Sequence, residues 1–362
     1  MIIQRLPTTC NRLQWLRSSW YSSGRSFSSL ATPNAQRKPP KSVLIVNKTG
    51  SQSVLNAIDK LHKYFEARQP EVKVLHEDVH DAPTHRPRWA PGSNTEPIDL
   101  VVTLGGDGTI LHASSLFKTG AVPPVLSFSM GTLGFLLPFH FDDHVQALDR
   151  VFNGTYGILH RMRLSCTFHA AHGTHANQKG EGWQVMNEVT LHRSAHPGLN
   201  IVDIFVDGQH LTEAVADGLI ISTPTGSTAY SLSAGGPILH PTMEAIILTP
   251  VCPRSLSFRP LVFPASASIT LRINNRSRAP AGTFMDGQET HILNPGDSVT
   301  VSASPYPIPC ISRSSIADCG MSPPGNTLDK PTSTEDDFVK DINSLLQYNA
   351  TFRSKALLKH DR

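Results

Sequence analysis

Patterned cysteine is the first feature that this chain lacks. Its five cysteines are scattered over 362 residues, and no two of them are spaced as Cys-x-x-Cys. An odd number without such spacing argues against a disulfide framework or a zinc site, and it fits a reducing compartment. The chain also lacks any apolar run that approaches the ~18 residues needed to cross a bilayer. We therefore expect neither a disulfide scaffold nor a membrane span.

Acidic residues are absent from the beginning of the chain, where the first one is Asp59. The first forty positions instead carry arginines, many serines and apolar residues such as Trp15 and Leu16. This composition is typical of a mitochondrial transit peptide. We expect residues 1–40 to be a leader that directs the protein to the mitochondrial matrix, with cleavage near residues 25–28. An untargeted basic tail is the alternative.

A strong net charge is also missing. The formal net charge is +3, with 17% charged and 39% hydrophobic residues, and part of the positive excess lies in the leader. This balance gives no reason to expect a nucleic-acid partner. The length is sufficient for two globular domains.

Strand-like and helix-like segments alternate in the first part of the globular sequence. Apolar runs that predict buried strands lie at residues 42–46, 72–75, 100–104 and 125–128. A helical repeat runs from Val54 to Phe65, and another begins near Asp142 and stops at Gly154. Alternation of this kind predicts a parallel, doubly wound α/β layer, which we assign to residues 41–158.

The hydrophobic period changes to two in the next part of the chain. Strands are predicted at residues 161–168, 183–191, 201–206, 218–222, 269–273 and 298–302. Asp207-Gly208 and Asp286-Gly287 are typical of hairpin turns. We therefore expect a β-rich domain at residues 159–315. Within it, residues 170–182 form an insertion that resembles a hairpin tip, whose histidines we interpret as solvated rather than metal-binding.

The end of the chain is separated by a segment rich in proline, glycine, serine and threonine. We assign residues 316–334 to a linker and residues 335–362 to a final helical segment. Ser333 and Asp336 have the spacing of a capping box, and apolar residues such as Phe338 and Ile342 recur after it at helical spacing.

The most informative stretch is Leu104-Gly105-Gly106-Asp107-Gly108-Thr109. An apolar strand stops there at two glycines, and a helical pattern begins at the threonine. This layout brings backbone N–H groups and a helix N-terminus close to phosphate oxygens. Asp107 is unusual beside phosphate, and it suggests a proton acceptor or a metal contact. Taken alone, the stretch is more typical of a βα turn whose Asp helps to cap the helix.

Three further motifs are consistent with nucleotide chemistry, and residues 217–237 are far more distinctive than the Asn187-Glu188 pair. Asn187-Glu188 lies inside a β run, where a carboxylate could accept hydrogen bonds from two ribose hydroxyls or simply face outward. Residues 217–237 end a buried strand in a run dense in hydroxyls, with Tyr230 available to stack on a ring. Residues 252–264 contain two arginines that could face phosphate, a subunit interface or only the protein itself.

Taken together, these segments resemble the NAD kinase family. The matching pieces occur in the family's order and occupy residues 105–109, 131–135, 187–188, 217–218, 223–233, 257–260 and 286–288. The set is specific, although no single member of it is. The leader, the block at 252–260 and the tail at 337–346 are most similar to the fungal mitochondrial members of the family.

The resemblance implies an α/β plus all-β fold. The N-terminal doubly wound domain would be of the type shared by NAD kinases and diacylglycerol kinases, the second domain β-sandwich-like, and the last helix would return to the first domain. It also implies ATP-dependent phosphorylation of the adenosine-ribose 2′-hydroxyl of NAD or NADH, with Mg²⁺ on the phosphates. A homo-oligomer, dimeric or larger, with the dinucleotide near a subunit interface is implied as well.

Residue roles follow from the same resemblance. Asp107 would take the proton of the 2′-hydroxyl, Asn187 and Glu188 would hold the ribose, and Asp217 would lie on the nicotinamide side. The other implied nucleotide contacts are Gly106, Gly108, Thr109, Thr225, Gly226, Ser227, Thr228, Ala229, Tyr230, Ser233 and Gln288. No resident metal ligand is implied.

Two other functions stay open at this stage. A lipid kinase of the diacylglycerol or sphingosine type carries the same glycine-rich turn, but Asn187-Glu188 and residues 223–233 favour a dinucleotide. A non-catalytic NAD(H) sensor would bind without phosphorylating, and an intact Asp107 disfavours it. A dehydrogenase is disfavoured because the turn lacks a G-x-G-x-x-G fingerprint. The sequence does not distinguish NAD from NADH.

Overall fold

The structure, a computed structural model, describes residues 38–77, 87–92, 97–118, 120–171, 183–193, 197–312 and 337–346. The predicted leader lies almost wholly outside the described residues, as do most of the 170–182 insertion and the predicted linker. The described strands form one eight-stranded sheet and two six-stranded sheets. Within the described ranges, no helix is both long and apolar enough to span a bilayer.

The first sheet has a parallel core whose strand order is β3-β2-β1-β4-β5. These strands are β1 (Ser42–Asn47), β2 (Lys73–Glu77), β3 (Arg88–Trp89), β4 (Leu100–Gly105) and β5 (Val125–Ser129). The direction of winding therefore reverses between β1 and β4. Open α/β sheets bind ligands at such a switch point, in the crevice beyond the carboxyl ends of the strands. Gly105, the last residue of β4, opens onto that crevice.

Helices cover both faces of this sheet. They are α1 (Gln52–Arg68), α2 (Asp107–Leu116) and α3 (His144–Phe152). In β1, Val43 and Ile45 pack in the same core as α1 and α3, whereas Leu44 and Val46 pack with α2. A strand buried on both faces needs apolar side chains at consecutive positions, which explains the continuous apolar run. The predicted doubly wound α/β layer is confirmed.

Strands from later in the chain complete the first sheet. β6 (Phe139–His140) pairs with β5, and β20 (Ile308–Ile311) lies between β5 and β7 (Ile158–Arg161). Residues 308–311 were expected in the β-rich domain at residues 159–315, whereas they pair in the α/β sheet. An apolar tetrapeptide carries no signal for one sheet over another, so only the long-range pairing decides its place.

The other two sheets are antiparallel. One has the order β15-β14-β13-β10-β17-β18, built from β10 (Glu188–His192), β13 (Gly218–Ser222), β14 (Ala245–Val251), β15 (Leu261–Pro264), β17 (Ala281–Met285) and β18 (Gln288–Leu293). The other has the order β12-β11-β16-β19-β8-β9, built from β8 (Leu164–His169), β9 (Trp183–Val185), β11 (Asn200–Val206), β12 (Gln209–Ala216), β16 (Ile269–Ile273) and β19 (Ser298–Ala303).

Side chains from both antiparallel sheets share one apolar core, in which Val189 and Leu191 of one sheet join Ile204 and Leu271 of the other. This arrangement is a β-sandwich, as the resemblance implied. Both predicted hairpin turns are present. Asp207-Gly208 has φ values of 51° and 81°, and Asp286-Gly287 has 48° and 81°, as a two-residue turn with two left-handed positions requires.

Short helical segments complete the fold. A 3₁₀ turn, Phe141–Asp143, precedes α3, a second one, Thr225–Thr228, follows β13, and α4 (Tyr230–Ser233) comes directly after it. The last helix, α5 (Asp337–Leu346), brings the ring of Phe338 against His240 with centroids 4.9 Å apart. The return of this helix to the α/β domain and the domain bounds stay predictions.

A buried arginine joins the α/β layer to the sandwich. Arg163 is fully buried, and its guanidinium donates to the carbonyl oxygens of Tyr306 at 2.6 Å, Ser114 at 3.2 Å and Phe117 at 2.8 Å. Ser114 and Phe117 lie at the C-terminal end of α2, where carbonyls lack helical partners and a cation is favourable. Burial lowers the pKa of Arg163 to about 10, opposed by the charge of Asp286, so the group stays charged at neutral pH.

Replacement of Arg163 by methionine would leave these buried carbonyls without a donor. We expect Arg163→Met to lower the free energy of unfolding by about 3–5 kcal/mol, measured by urea denaturation. Arg278, an exposed arginine on the sandwich, provides the control. Arg278→Met should change the free energy of unfolding by less than about 0.5 kcal/mol. Equal midpoints for the two variants would show that the three carbonyl contacts do not hold the layers together.

Candidate active site

The glycine-rich turn connects the end of β4 to the start of α2. A Cβ on Gly105 would lie 2.1 Å from the hydroxyl oxygen of Thr109, so no larger residue fits there. A Cβ on Gly106 or Gly108 would meet nothing within 4 Å, and both residues are exposed. The backbone at the start of α2 therefore faces open space, where an anion can approach it closely.

Asp107 is the first residue of α2, and its carboxylate is covered by the loop at residues 131–137, named here the cover loop. A Cβ on Gly134 would lie 2.3 Å from Asp107 Oδ1, and the N–H of Leu136 donates to the carboxylate. In the part of the chain that the structure describes, Oδ1 is buried without a hydrogen-bond partner. Burial raises the pKa of Asp107, against the Leu136 N–H and the charge of Arg161.

Arg161, the last residue of β7, connects the cover loop to the sandwich. Its Nη2 donates to the carbonyl oxygen of Phe135 at 3.0 Å, and its Nη1 donates to the hydroxyl oxygen of Thr225 at 3.3 Å. From the sequence, Arg161 is only the first residue of the strand predicted at residues 161–168, and no functional role was predicted for it. Its position next to the change of hydrophobic period was the one available signal.

Residues 223–229, named here the hydroxyl-rich turn, pack directly on Asn187. A Cβ on Gly226 would lie 2.2 Å from the carbonyl oxygen of Asn187, and the Thr223 N–H donates to the same oxygen at 2.9 Å. The hydroxyl of Thr223 donates to the carbonyl of Met186 at 2.7 Å and accepts the N–H of Gly226 at 3.0 Å. The turn and the Asn187-Glu188 pair therefore form one rigid unit.

Several hydroxyls of the turn stabilise the turn itself. Ser227 donates to the carbonyl of Pro224 at 2.6 Å and accepts the N–H of Leu239 at 3.0 Å, while Thr228 donates to the carbonyl of Thr225 at 3.2 Å. Among the remaining predicted contacts, Ala229 is half-buried, whereas Tyr230 and Ser233 are exposed.

Asn187 and Glu188 are held by Asp286. The carboxylate of Asp286 accepts the N–H groups of Met186 at 2.9 Å, Asn187 at 2.7 Å and Glu188 at 3.4 Å. From the sequence, Asp286 was expected only as a hairpin residue and as part of a matching motif, so its contact with Asn187 and Glu188 was not predicted. A turn residue with φ of 48° gives no local sign that its side chain reaches a strand almost one hundred residues away.

Glu188 is a carboxylate in a poorly solvated place. Burial, and then the charge of Asp286, raise the pKa of Glu188 to about 7, although the backbone N–H of Tyr230 lowers it. Glu188 Oε2 and Asn187 Oδ1 are both buried with no hydrogen-bond partner among the described residues. Adjacent buried acceptors of this kind are suited to hydroxyl donors from a ligand.

Asp217 precedes β13 and is bound by Arg193, whose Nε donates to Asp217 Oδ1 at 2.6 Å. Burial, and then the charges of Cys252, Asp217 and Glu188, raise the pKa of Tyr230. Gln288 is exposed directly after the Asp286-Gly287 turn. Apart from Ser233 and Gln288, the structure thus brings the predicted residues into two groups, one at the glycine-rich turn and one at the hydroxyl-rich turn.

The fold and the two turns define a two-domain nucleotide-binding phosphotransferase. Comparison with known families makes the class specific. The ATP-NAD kinase N-terminal domain matches residues 40–156, and the ATP-NAD kinase C-terminal domain matches residues 186–313. This chain belongs to the ATP-NAD kinase family, and it is a kinase.

Individual relatives agree with this assignment. The mitochondrial NADH kinase of Schizosaccharomyces pombe is 41% identical over 323 residues, which are 88% of this chain and 78% of that protein. The mitochondrial NADH kinase of Saccharomyces cerevisiae is 40% identical over 275 residues, which are 70% of this chain and 64% of that protein.

Solved structures give the same result. Yeast NADH kinase in complex with NADH has a TM-score of 0.73 at 34% identity, covering 92% of this chain and 97% of that one. An NAD kinase from Archaeoglobus fulgidus in complex with ATP shares the fold, with a TM-score of 0.59 at 22% identity over 77% of this chain and 96% of that one. The predicted family, fold class and kinase function are confirmed.

The raised pKa of Glu188 predicts a stability that depends on pH. The folded pKa of about 7 exceeds the ordinary 4.5, so the folded protein loses stability as pH rises from 4.5 through 7. A neutral Glu188→Gln variant avoids this loss. In urea denaturation we expect it to be more stable than the wild type by about 3 kcal/mol at pH 8 and by under about 1 kcal/mol at pH 5. Exposed Glu289→Gln is the control, and a gain for Glu188→Gln that does not vary with pH would contradict the prediction.

Proposed function

We propose that this chain transfers the γ-phosphate of ATP to the 2′-hydroxyl of the adenosine ribose in NADH or NAD, forming NADPH or NADP. One observation carries the proposal. Asp107 lies at the carboxyl end of β4, with a buried carboxylate oxygen that has no hydrogen-bond partner among the described residues. Such an oxygen lacks a hydrogen-bond donor, which a substrate hydroxyl can supply.

The acceptor dinucleotide binds at the hydroxyl-rich turn. The free oxygens of Asn187 and Glu188 accept hydrogen bonds from ribose hydroxyls, because both atoms are buried and lack other donors among the described residues. The adenosine is assigned to Thr228, Ala229, Tyr230 and Ser233, and the adjoining residues 225–227 are assigned to the nucleotide site in general. Asp217 is assigned to the nicotinamide side, and Gln288 to a further nucleotide contact.

The donor ATP binds at the glycine-rich turn, against Gly106, Gly108 and Thr109. Mg²⁺ enters with ATP as the substrate complex and neutralises the phosphate charge. Within the described ranges, no three His, Cys, Asp or Glu side chains are grouped to hold a metal ion. Mg²⁺ is commonly held by substrate phosphates, water and one or two carboxylates.

In the reaction, the bond from the 2′-oxygen to the γ-phosphorus forms while the bond to the β-phosphate oxygen breaks, and ADP leaves. The hydroxyl proton passes to Asp107. A free Asp, with a pKa of about 3.9, is a weak base toward an alcohol. In the loose transition state of phosphoryl transfer the proton leaves late, so a well-placed carboxylate can still receive it. Burial raises the pKa of Asp107 and makes it a better acceptor.

Cellular location and assembly extend the proposal. The two relatives described above are mitochondrial, which supports the mitochondrial matrix for this chain. A homo-oligomer is supported by exposed apolar side chains along the edge strand β15 and before it, where Leu256 is 89% exposed and Val262 is 49% exposed. Edge strands with apolar side chains are suited to cover by a second copy.

Asp107→Asn tests the proton transfer. The amide keeps the size of the side chain but cannot accept the proton, so we expect kcat for NADPH formation to fall by about 10²–10⁴-fold. The dissociation constant for NADH, measured by its fluorescence, should change less than about 3-fold, since Asp107 is not assigned to ground-state binding. Exposed Asp142→Asn is the matched control. Near-normal turnover of Asp107→Asn would refute the role of this aspartate.

The preferred dinucleotide is a second test. Arg193 neutralises Asp217, so the nicotinamide side offers little net negative charge to the pyridinium cation of NAD. We expect kcat/KM with Mg-ATP to be higher for NADH than for NAD, and no labelled phosphate to reach a diacylglycerol. A clear preference for NAD would contradict the charge argument, and labelled lipid would favour the lipid-kinase alternative.

A further inference from the structure

Arg161 binds Phe135, a residue of the cover loop whose two neighbours both contact Asp107. Gly134 packs against Asp107 Oδ1, and the N–H of Leu136 donates to the same carboxylate. Arg161 binds the carbonyl of Phe135, which lies between them. A shift of that carbonyl moves both neighbours, and with them the position of the Asp107 side chain.

The other side of the Arg161 guanidinium binds the sandwich. Its Nη1 reaches Thr225, inside the hydroxyl-rich turn that packs on Asn187. The cover loop has the sequence Gly-Thr-Leu-Gly-Phe-Leu-Leu, and the turn has the sequence Thr-Pro-Thr-Gly-Ser-Thr-Ala. Neither segment carries a charged side chain of its own, so the charge at this link is that of Arg161.

The charged groups around Asp107 and Arg161 are few. The strand β4 and the cover loop contribute no charged side chain, and α2 contributes Asp107 itself and, one turn further on, His112, which pairs with Glu77 at 2.6 Å. The strand β20 brings Cys310 against Arg161, where burial raises the pKa of the thiol and keeps it neutral. Among the described residues, Lys48 lies beside Gly105, and Arg161 supplies the positive charge that opposes the rise that burial causes in the pKa of Asp107.

We propose that Arg161 is a positioning residue, which holds the cover loop against the hydroxyl-rich turn and so places the Asp107 carboxylate in line with the ribose hydroxyl bound at that turn. The inference rests on the kinase function proposed above. Arg161 acts through the loop and through its charge, because both of its terminal nitrogens already donate to protein oxygens. Its removal should therefore affect turnover more than binding.

The first experiment compares Arg161→Met and Arg161→Lys with the wild-type chain. In Arg161→Met we expect kcat to fall about 10–100-fold, since a misplacement of about 1 Å has effects of this size. The KM and the fluorescence-measured dissociation constant for NADH should change less than about 3-fold. Loss of the positive charge should also move the acidic limb of the kcat–pH profile to higher pH.

Arg161→Lys keeps the charge but not the planar pair of donors. We expect it to return the acidic limb to its wild-type position and to restore kcat only in part. The control Arg68→Met removes an arginine that pairs with Asp149 at 2.5 Å, between α1 and α3. That variant should keep the wild-type kcat and pH profile.

A double-mutant cycle isolates the link itself. Thr225→Val removes the partner on the turn and leaves the guanidinium in place. In the double variant Arg161→Met with Thr225→Val, the fold-decrease in kcat should be smaller than the product of the two single-variant fold-decreases. The reason is that both changes break the same connection. This comparison is made between folded variants of matched thermal stability, so a general loss of folding does not imitate it.

The outcomes separate the inference from the function on which it rests. An active wild type whose Arg161→Met variant keeps kcat, or loses kcat with an unmoved acidic limb, would overturn the positioning role alone. Independent, multiplicative losses in the cycle would do the same. A wild-type chain that forms no NADPH from NADH and Mg-ATP would overturn the proposed function and this inference with it.

Discussion

The incomplete solvation of one carboxylate constrains the rest of this structure. Asp107 is removed from most of its water, and among the described residues only one backbone N–H and one guanidinium charge compensate for that loss. A buried charge with so few partners costs free energy, which the surrounding fold must supply. The absent Cβ of Gly134 is part of the same constraint, because the cover loop approaches the Asp107 carboxylate too closely for a side chain at that position.

Two arginines lie where the chain passes from β7 in the first sheet to β8 in the sandwich, and they hold opposite ends of α2. Arg163 binds carbonyls at the C-terminal end of α2, while Arg161 binds the loop that covers its first residue, Asp107. Residues two apart on an extended chain point to the same side, which allows both to reach the α/β layer. The ten residues of α2 span about 15 Å. Arg161 and Arg163 together therefore fix the position of the helix at both of its ends.

The acidic groups of the sandwich show the cost of a prepared binding site. Asp286 organises Asn187 and Glu188 through three backbone N–H groups, yet its charge also raises the pKa of Glu188. Glu188 Oε2 and Asn187 Oδ1 lack partners among the described residues until hydroxyl donors arrive. Ligand binding can then recover free energy that the folded chain alone does not recover.

Local patterns in the sequence determined the elements that depend on local physics. The apolar runs of β1, β2, β4 and β5, the helical repeats of α1 and α3, and both Asp-Gly hairpins were predicted, because periodicity and turn conformation are set within a few residues. The glycine-rich turn and the Asn187-Glu188 pair were identified in the same way. Only the tertiary structure decided that β20 joins the first sheet, that Asp286 holds Asn187, and that Arg161 reaches Phe135 and Thr225. Those partners are far apart in the chain. A distant partner of a side chain produces neither a hydrophobic periodicity nor a turn motif in the residues around that side chain.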